Sequence, residues 1–143
     1  MGDRGNIIVK QGAGHEPVWL YAHDLGSELA AVLRRALNRR RRWNESPYLT
    51  RIIFCEMLAE YDATKALTGE SGFGVSTWEC DNEHDYLLVD PEAKTVEVVS
   101  RKDAARAGDD PLKARPRWIY SFEDFCQTTA SSPDELHEEN SST

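Results

Sequence analysis

Short runs in which apolar and polar residues alternate recur along the chain, and this pattern is typical of β-strands. Five such runs are rich in β-branched and aromatic residues; they lie at residues 6–10, 18–23, 73–80, 86–90 and 95–100. The turn-forming residues between them predict that the first two runs form a β-hairpin and that the last three form a meander. We therefore expect an antiparallel sheet of about five strands.

The second run also predicts which side chains share a face of the sheet, because successive side chains of a strand point to opposite sides. Its residues fall into a smaller set and a larger set: Val18, Leu20 and Ala22 alternate with Trp19, Tyr21 and His23. We expect the smaller set to lie under helices.

Two longer segments repeat apolar residues every three or four positions, which indicates amphipathic helices. The first spans residues 27–41, and the second spans residues 46–61 and opens with a serine N-cap and a first-turn proline. A capping box at Ser121 predicts a short C-terminal helix through Cys126. The predicted fold class is α+β, with the two main helices packed on one face of the sheet.

The length of 143 residues suits a single domain with one hydrophobic core. Residues 101–117 are polar and rich in turn formers, so we interpret them as an exposed excursion. From residue 129 onward Leu136 is the one large apolar residue, which is too little to offset the entropy of ordering. The prediction is a single α+β domain at residues 1–128, followed by a disordered acidic tail at residues 129–143.

The formal net charge of -8 changes the expected partners. Binding driven by the phosphate backbone needs a basic surface, so we expect no non-specific nucleic-acid binding. No segment has the length and apolar character of a spanning helix or a signal peptide, so we expect a cytoplasmic protein without a membrane partner. Three widely spaced cysteines fit a reducing compartment. We predict no metal and no cofactor.

Arginines are concentrated at the end of the first predicted helix. The cluster contains Arg35, Arg39, Arg40, Arg41 and Arg42, followed by Trp43 and, on the second helix, by Arg51. Cations are favoured near a helix C-terminus, so a solvated and partly ion-paired surface accounts for the cluster. Guanidinium groups also bind phosphate and carboxylate, and a tryptophan can stack on a base. The second interpretation is a site for a phosphate-bearing small molecule or an acidic partner.

A second candidate site lies where Tyr21 and His23 precede the first helix. An imidazole at such a junction could titrate against a ligand, which is the basis of a hydrolase hypothesis. No neighbouring serine or cysteine completes a triad, so capping of the helix entry explains His23 more simply, and we assign no catalytic residue. The acidic turn at residues 81–85 lacks the spacing of a calcium-binding loop and is interpreted as a polar hairpin tip.

Five short motifs occur in the first hundred residues: GDRGNII at 2–8, LYAH at 20–23, YLTRIIF at 48–54, GFGVS at 72–76 and DNEH at 81–84. Together they resemble a group of small uncharacterised proteins carried by phages and prophages. The chain departs from that group at residues 22–25, where the group has a Thr-His-Trp-Gly-Gly-like run. The resemblance implies an accessory protein that works by binding a host protein or a small molecule.

These observations lead to one leading expectation and two alternatives. The leading one is a non-enzymatic, phage-type protein that binds a host protein, in host defence or nucleic-acid processing. The first alternative is a nucleotide or signalling-phosphate binding protein that uses residues 39–42 and Trp43. The second alternative is a hydrolase with His23 as the acid-base.

Overall fold

The computed structural model describes residues 3–59, 72–79 and 82–136. Its framework is a six-stranded sheet with the strand order β3-β2-β1-β4-β5-β6. The strands are β1 (Gly5–Val9), β2 (Val18–Ala22), β3 (Phe73–Ser76), β4 (Tyr86–Asp90), β5 (Thr95–Val99) and β6 (Trp118–Ser121). The α+β class and the mostly antiparallel sheet are confirmed, although the sheet has six strands instead of about five.

The pairing of the strands corrects the predicted meander. β4 pairs with β5 as expected, but its other neighbour is β1, which runs parallel to it with Ile7 opposite Leu87. β3 pairs instead with β2, at the far edge of the sheet. The side chains of β1 and β4 are buried on both faces, as suits central strands, whereas β3 carries the exposed Val75. The alternating pattern locates strands but does not identify their neighbours.

Four α-helices lie in the described residues: α1 (Leu29–Leu37), α2 (Ser46–Leu58), α3 (Arg101–Arg106) and α4 (Phe122–Cys126). α2 begins where its serine and proline predict, and the predicted extension beyond residue 59 lies outside the described residues. α4 is confirmed, with Ser121 Oγ accepting a hydrogen bond from Asp124 N at 3.0 Å. α2, the longest of these helices, falls short of what a membrane span requires.

α1 ends before the residue that the sequence predicts. It stops at Leu37 instead of continuing to Arg41. The backbone of Arg40 and Arg42 is left-handed, with φ angles of 55° and 59°, and this conformation is incompatible with a right-handed helix. The arginine-rich segment is therefore an irregular connection between α1 and α2.

The main core lies between one face of the sheet and the helices α1, α2 and α4. Leu20 and Ala22 of β2 belong to it together with Ile7 and Val9 of β1, and all four are fully buried. The predicted face of β2 is confirmed, because its smaller side chains lie under the helices.

A second and smaller core covers the opposite face of the sheet. Ile8, Trp19, Tyr86 and Leu88 pack there against Ala104 of α3. α3 lies within residues 101–117, the segment that was interpreted as an exposed excursion, and β6 begins directly after it. The exposure is confirmed, because Ala104 and Pro111 are the two buried residues of this segment. α3 itself was not predicted, because it buries a single alanine and leaves almost no apolar periodicity to detect.

The residues after α4 pack on the body of the protein, in contrast to the predicted disorder from residue 129. Ala130 and Leu136 are buried, and a 3₁₀ turn spans Pro133–Glu135. The carbonyl of Ser131 accepts hydrogen bonds from Ala30 N and Ala31 N at the start of α1, at 2.9 and 3.2 Å. The remainder of the predicted tail, residues 137–143, lies outside the described residues.

Candidate functional site

Two of the predicted site arginines are engaged by one buried carboxylate. Arg39 Nε donates to Glu56 Oε1 at 2.5 Å, and Arg35 Nε lies 3.5 Å from Glu56 Oε2. The Glu56 side chain is only 7% exposed, so the two guanidinium groups compensate a charge that is costly to bury alone. Arg35 and Arg39 therefore hold α2 to the end of α1.

Arg40 and Trp43 are also committed to contacts within the protein. Arg40 Nη1 lies 2.5 Å from Glu123 Oε1, and its guanidinium carbon is 5.4 Å from the centre of the Trp43 ring. Trp43 Nε1 donates to the carbonyl of Leu37 at 3.0 Å, and its ring meets Phe122 edge-on. The Trp43 indole, which the sequence suggested could stack on a base, is thus packed on the core.

The remaining arginines are exposed, Arg41 and Arg42 in the connection before α2 and Arg51 in α2 itself. The Arg42 guanidinium lies 4.4 Å from the centre of the half-exposed Tyr48 ring, and its Nη1 is 3.1 Å from both carboxylate oxygens of Glu45. Arg51 follows Tyr48 by one helical turn and is exposed, as is Arg41. Neither Arg41 nor Arg51 makes an ion pair within the part of the chain that the structure describes. We call Arg41, Arg42, Tyr48 and Arg51 the basic face.

Tyr21 and His23 lie together at the end of β2, as the strand period requires. The Tyr21 hydroxyl is 3.2 Å from His23 Nδ1, and His23 Nε2 is 3.9 Å from a carboxylate oxygen of Asp24. The His23 carbonyl accepts a hydrogen bond from Asp3 N at 2.8 Å, so the backbone there anchors the N-terminal segment. This pair is on a different element from the arginines.

The acidic turn contains His84, which the sequence analysis interpreted only as part of a polar hairpin tip. His84 Nε2 lies 2.5 Å from Asp3 Oδ1, and its Nδ1 lies 2.8 Å from Asp134 Oδ2. Asp3 in turn accepts a hydrogen bond from Ser27 N at 3.0 Å. These four residues, the His84 clamp, join both ends of the described chain to the body. The partners are so distant in sequence that no local pattern indicates them.

A crevice opens where the parallel strands β1 and β4 end. It has a volume of about 320 Å³, and it is lined by Lys10, Gly12, Ala13, His15, Pro17, Asp90, Glu92 and Leu112. The sequence analysis assigned none of these residues to a site. The signal was present as a glycine-rich loop with a lysine before it and a histidine within it, but identifying a site also requires the parallel pairing of β1 with β4.

Within the described residues, no group of three or more histidine, cysteine or acidic side chains could hold a metal ion. Comparisons of the chain with protein-family models, with curated proteins and with solved structures found no match.

Proposed function

We propose that this chain is a binding protein of the phage accessory type and that it engages a host protein through the basic face. The supporting observation is the division among the arginines. Arg35, Arg39 and Arg40 are bound to buried or neighbouring carboxylates, whereas Arg41 and Arg51 are exposed without an ion pair in the described residues. The exposed pair is available to a partner.

The chemistry of the basic face indicates the kind of partner. Arginine and tyrosine are enriched in protein interfaces, where they contribute planar contact area and hydrogen-bond donors. The chain as a whole carries a formal charge of -8, so this cationic face is a local exception. A compact acidic segment of a protein would be attracted to the face, while a long polyanion would also meet the acidic remainder. The proposed partner is a host protein that presents such a segment.

A phosphate-bearing small molecule is the second candidate, because guanidinium groups bind phosphate with the same geometry as carboxylate. Arg39, Arg40 and Trp43 already have protein partners, so this function would depend on Arg41, Arg42 and Arg51. Both candidates thus use one surface, and they differ in what is captured.

The test is a charge reversal at the two exposed arginines, Arg41→Glu with Arg51→Glu. The matched control is Lys113→Glu with Arg115→Glu, which reverses two exposed cations elsewhere on the chain. Each protein is cross-linked in a host lysate, and any captured protein is purified and titrated against all three chains. We expect the wild type and the control to bind equally and the double variant to bind at least tenfold more weakly.

Equal binding by the double variant would overturn the proposal, as would the absence of any captured protein. In the latter case, thermal unfolding with nucleotides and cyclic nucleotides decides the second candidate, since a ligand of the native state raises stability. A shift that the double variant loses and the control keeps would support phosphate binding.

A further inference from the structure

The crevice beyond β1 and β4 has the topology of a ligand site. The two strands are parallel neighbours, and the chain leaves their carboxyl ends in opposite directions, towards β2 on one side and towards β5 on the other. In open α/β sheets such a divergence at the carboxyl ends of parallel strands leaves a gap in which ligands bind, and here two antiparallel connections diverge in the same way. The volume of about 320 Å³ falls in the range of roughly 300–1,000 Å³ for small-molecule pockets.

Lys10 supplies an ammonium group that is positioned but not hydrogen-bonded within the described residues. Its Nζ lies 3.9 Å from Asp90 Oδ2 and 3.8 Å from Glu97 Oε2. These distances exceed the limit of about 3.2 Å for a hydrogen bond. The two carboxylates hold the charge by Coulomb attraction and leave its N–H donors for an acceptor on a ligand.

The loop that borders Lys10 is preformed and adds donors. Gln11 Nε2 donates to Thr50 Oγ1 on α2 at 2.9 Å, and His15 N closes a turn onto the Gly12 carbonyl at 3.2 Å. The backbone N–H groups of residues 12–14 donate to no acceptor in the described chain. Consecutive free amides in a glycine-rich turn form a cradle for an anionic group.

The other lining residues provide a separate carboxylate and an apolar wall. The side chain of Glu92 is exposed and makes no ion pair in the described residues. Ala13, Pro17 and Leu112 line the same crevice, and Leu112 is 39% exposed. The crevice therefore combines a cationic, an anionic and an apolar surface.

We propose that this crevice binds a small zwitterion with an apolar side chain, of the class of a free amino acid or a short peptide. Lys10 and the loop amides bind its carboxylate, Glu92 binds its ammonium, and Leu112 contacts its side chain. A simple anion is disfavoured, because Asp90 and Glu97 offset the charge of Lys10 and Glu92 adds a further negative charge. A simple amine leaves Lys10 and the loop amides unused. The site is separate from the basic face.

The experiment titrates the full chain with three matched probes and follows the backbone amides by NMR. L-leucine carries both charges, isoamylamine lacks the carboxylate, and 4-methylpentanoate lacks the ammonium. We expect leucine to perturb residues 10–15 and to bind at least tenfold more tightly than either half. Lys10→Gln and Glu92→Gln should each weaken leucine binding about tenfold or more, while Lys102→Gln, outside the crevice, should not.

Two results would overturn this proposal: no perturbation by leucine at about 10 mM, or leucine binding that is unaffected by both crevice variants. Binding of isoamylamine as tight as that of leucine would also overturn it and would identify an amine site. The Glu92 side chain is exposed and makes no ion pair with any residue that the structure describes, so Glu92→Gln keeps the test valid even if Lys10→Gln disturbs the fold.

Discussion

The Nδ1 atom of His84 lies 2.8 Å from Oδ2 of Asp134, and this contact joins the entry of β4 to the 3₁₀ turn fifty residues later. On the other side of the ring, Nε2 lies 2.5 Å from Asp3 Oδ1. Only the protonated imidazolium can donate from both nitrogens, so the two carboxylates favour the charged form of His84. The clamp is therefore sensitive to pH.

We expect the stability of the protein to fall as pH rises above the usual pKa of histidine. Burial alone lowers the pKa of His84, but the hydrogen bonds and charges of Asp134 and Asp3 outweigh burial and raise the pKa. A raised pKa in the folded state means that the folded protein binds this proton more tightly. The stabilisation is complete below the unfolded value of about 6.5 and is lost as pH rises through the folded pKa. Urea unfolding at steps between about pH 5.5 and 9 measures the free energy of unfolding at each pH.

The variant His84→Gln should lack this pH dependence and should be less stable at pH 6 by about 1.5–3 kcal/mol, the range for hydrogen bonds to charged groups. The control is His15→Gln, which changes an exposed histidine in the loop after β1. His15→Gln should keep the wild-type dependence of unfolding free energy on pH. If His84→Gln kept the full wild-type dependence of unfolding free energy on pH, the effect would belong to another group.

A glycine is required at position 26, because the His84 clamp and the backbone beside it leave no room for a Cβ atom. A Cβ atom at this position would lie 2.6 Å from His84 Cδ2 and 2.8 Å from both Asp3 O and Arg4 C. Because two of these atoms are backbone, the strain cannot be relieved by a side-chain rotation, and overpacking of this kind costs about 1–3 kcal/mol. We expect Gly26→Ala to lower the free energy of unfolding by that amount in urea unfolding.

The control for this substitution is Gly74→Ala on the edge strand β3. There the nearest atom to an added Cβ is Tyr21 Cδ2, at an ordinary contact distance of 3.9 Å. Alanine also has less backbone entropy to lose than glycine in a strand. Gly74→Ala should therefore be neutral or slightly stabilising. Equal losses for the two variants would argue against the steric explanation.

Features that depend on a few neighbouring residues were predictable from the sequence. The cap of α4 at Ser121, the start of α2 and the buried face of β2 all follow from spacings of two to four residues. The parallel pairing of Ile7 with Leu87 was not predictable, because nothing in either strand specifies its neighbour. The crevice depends on that pairing and was missed with it.

The candidate sites were likewise predictable only in those features that depend on neighbouring residues. The arginine cluster is visible in the sequence, but its division is set by Glu56 and Glu123, which come from other elements. The buried Leu136 was judged too isolated to order its segment. The Ser132 cap before Pro133 was the local sign that this segment could be structured, since its hydroxyl accepts a hydrogen bond from Asp134 N.

Glu56 provides a test of which arginines support the fold. Its carboxylate is 7% exposed and is bound by Arg39, with Arg35 at 3.5 Å. The two arginine side chains are 62% and 45% exposed, so water can solvate them once the carboxylate is removed. We expect Glu56→Gln to lower the free energy of unfolding by about 1–3 kcal/mol, less than the loss of a partner from a fully buried pair.

The control is Glu45→Gln, which removes an exposed carboxylate from its contact with Arg42, three residues earlier in the chain. Exposed pairs of this kind contribute about 0–1 kcal/mol, so Glu45→Gln should change the urea midpoint little. Neither substitution removes Arg41 or Arg51, so a folded Glu56→Gln protein should still bind the proposed partner. Tighter binding by folded Glu56→Gln would instead place the partner on Arg35 and Arg39, because those are the guanidinium groups that the substitution releases.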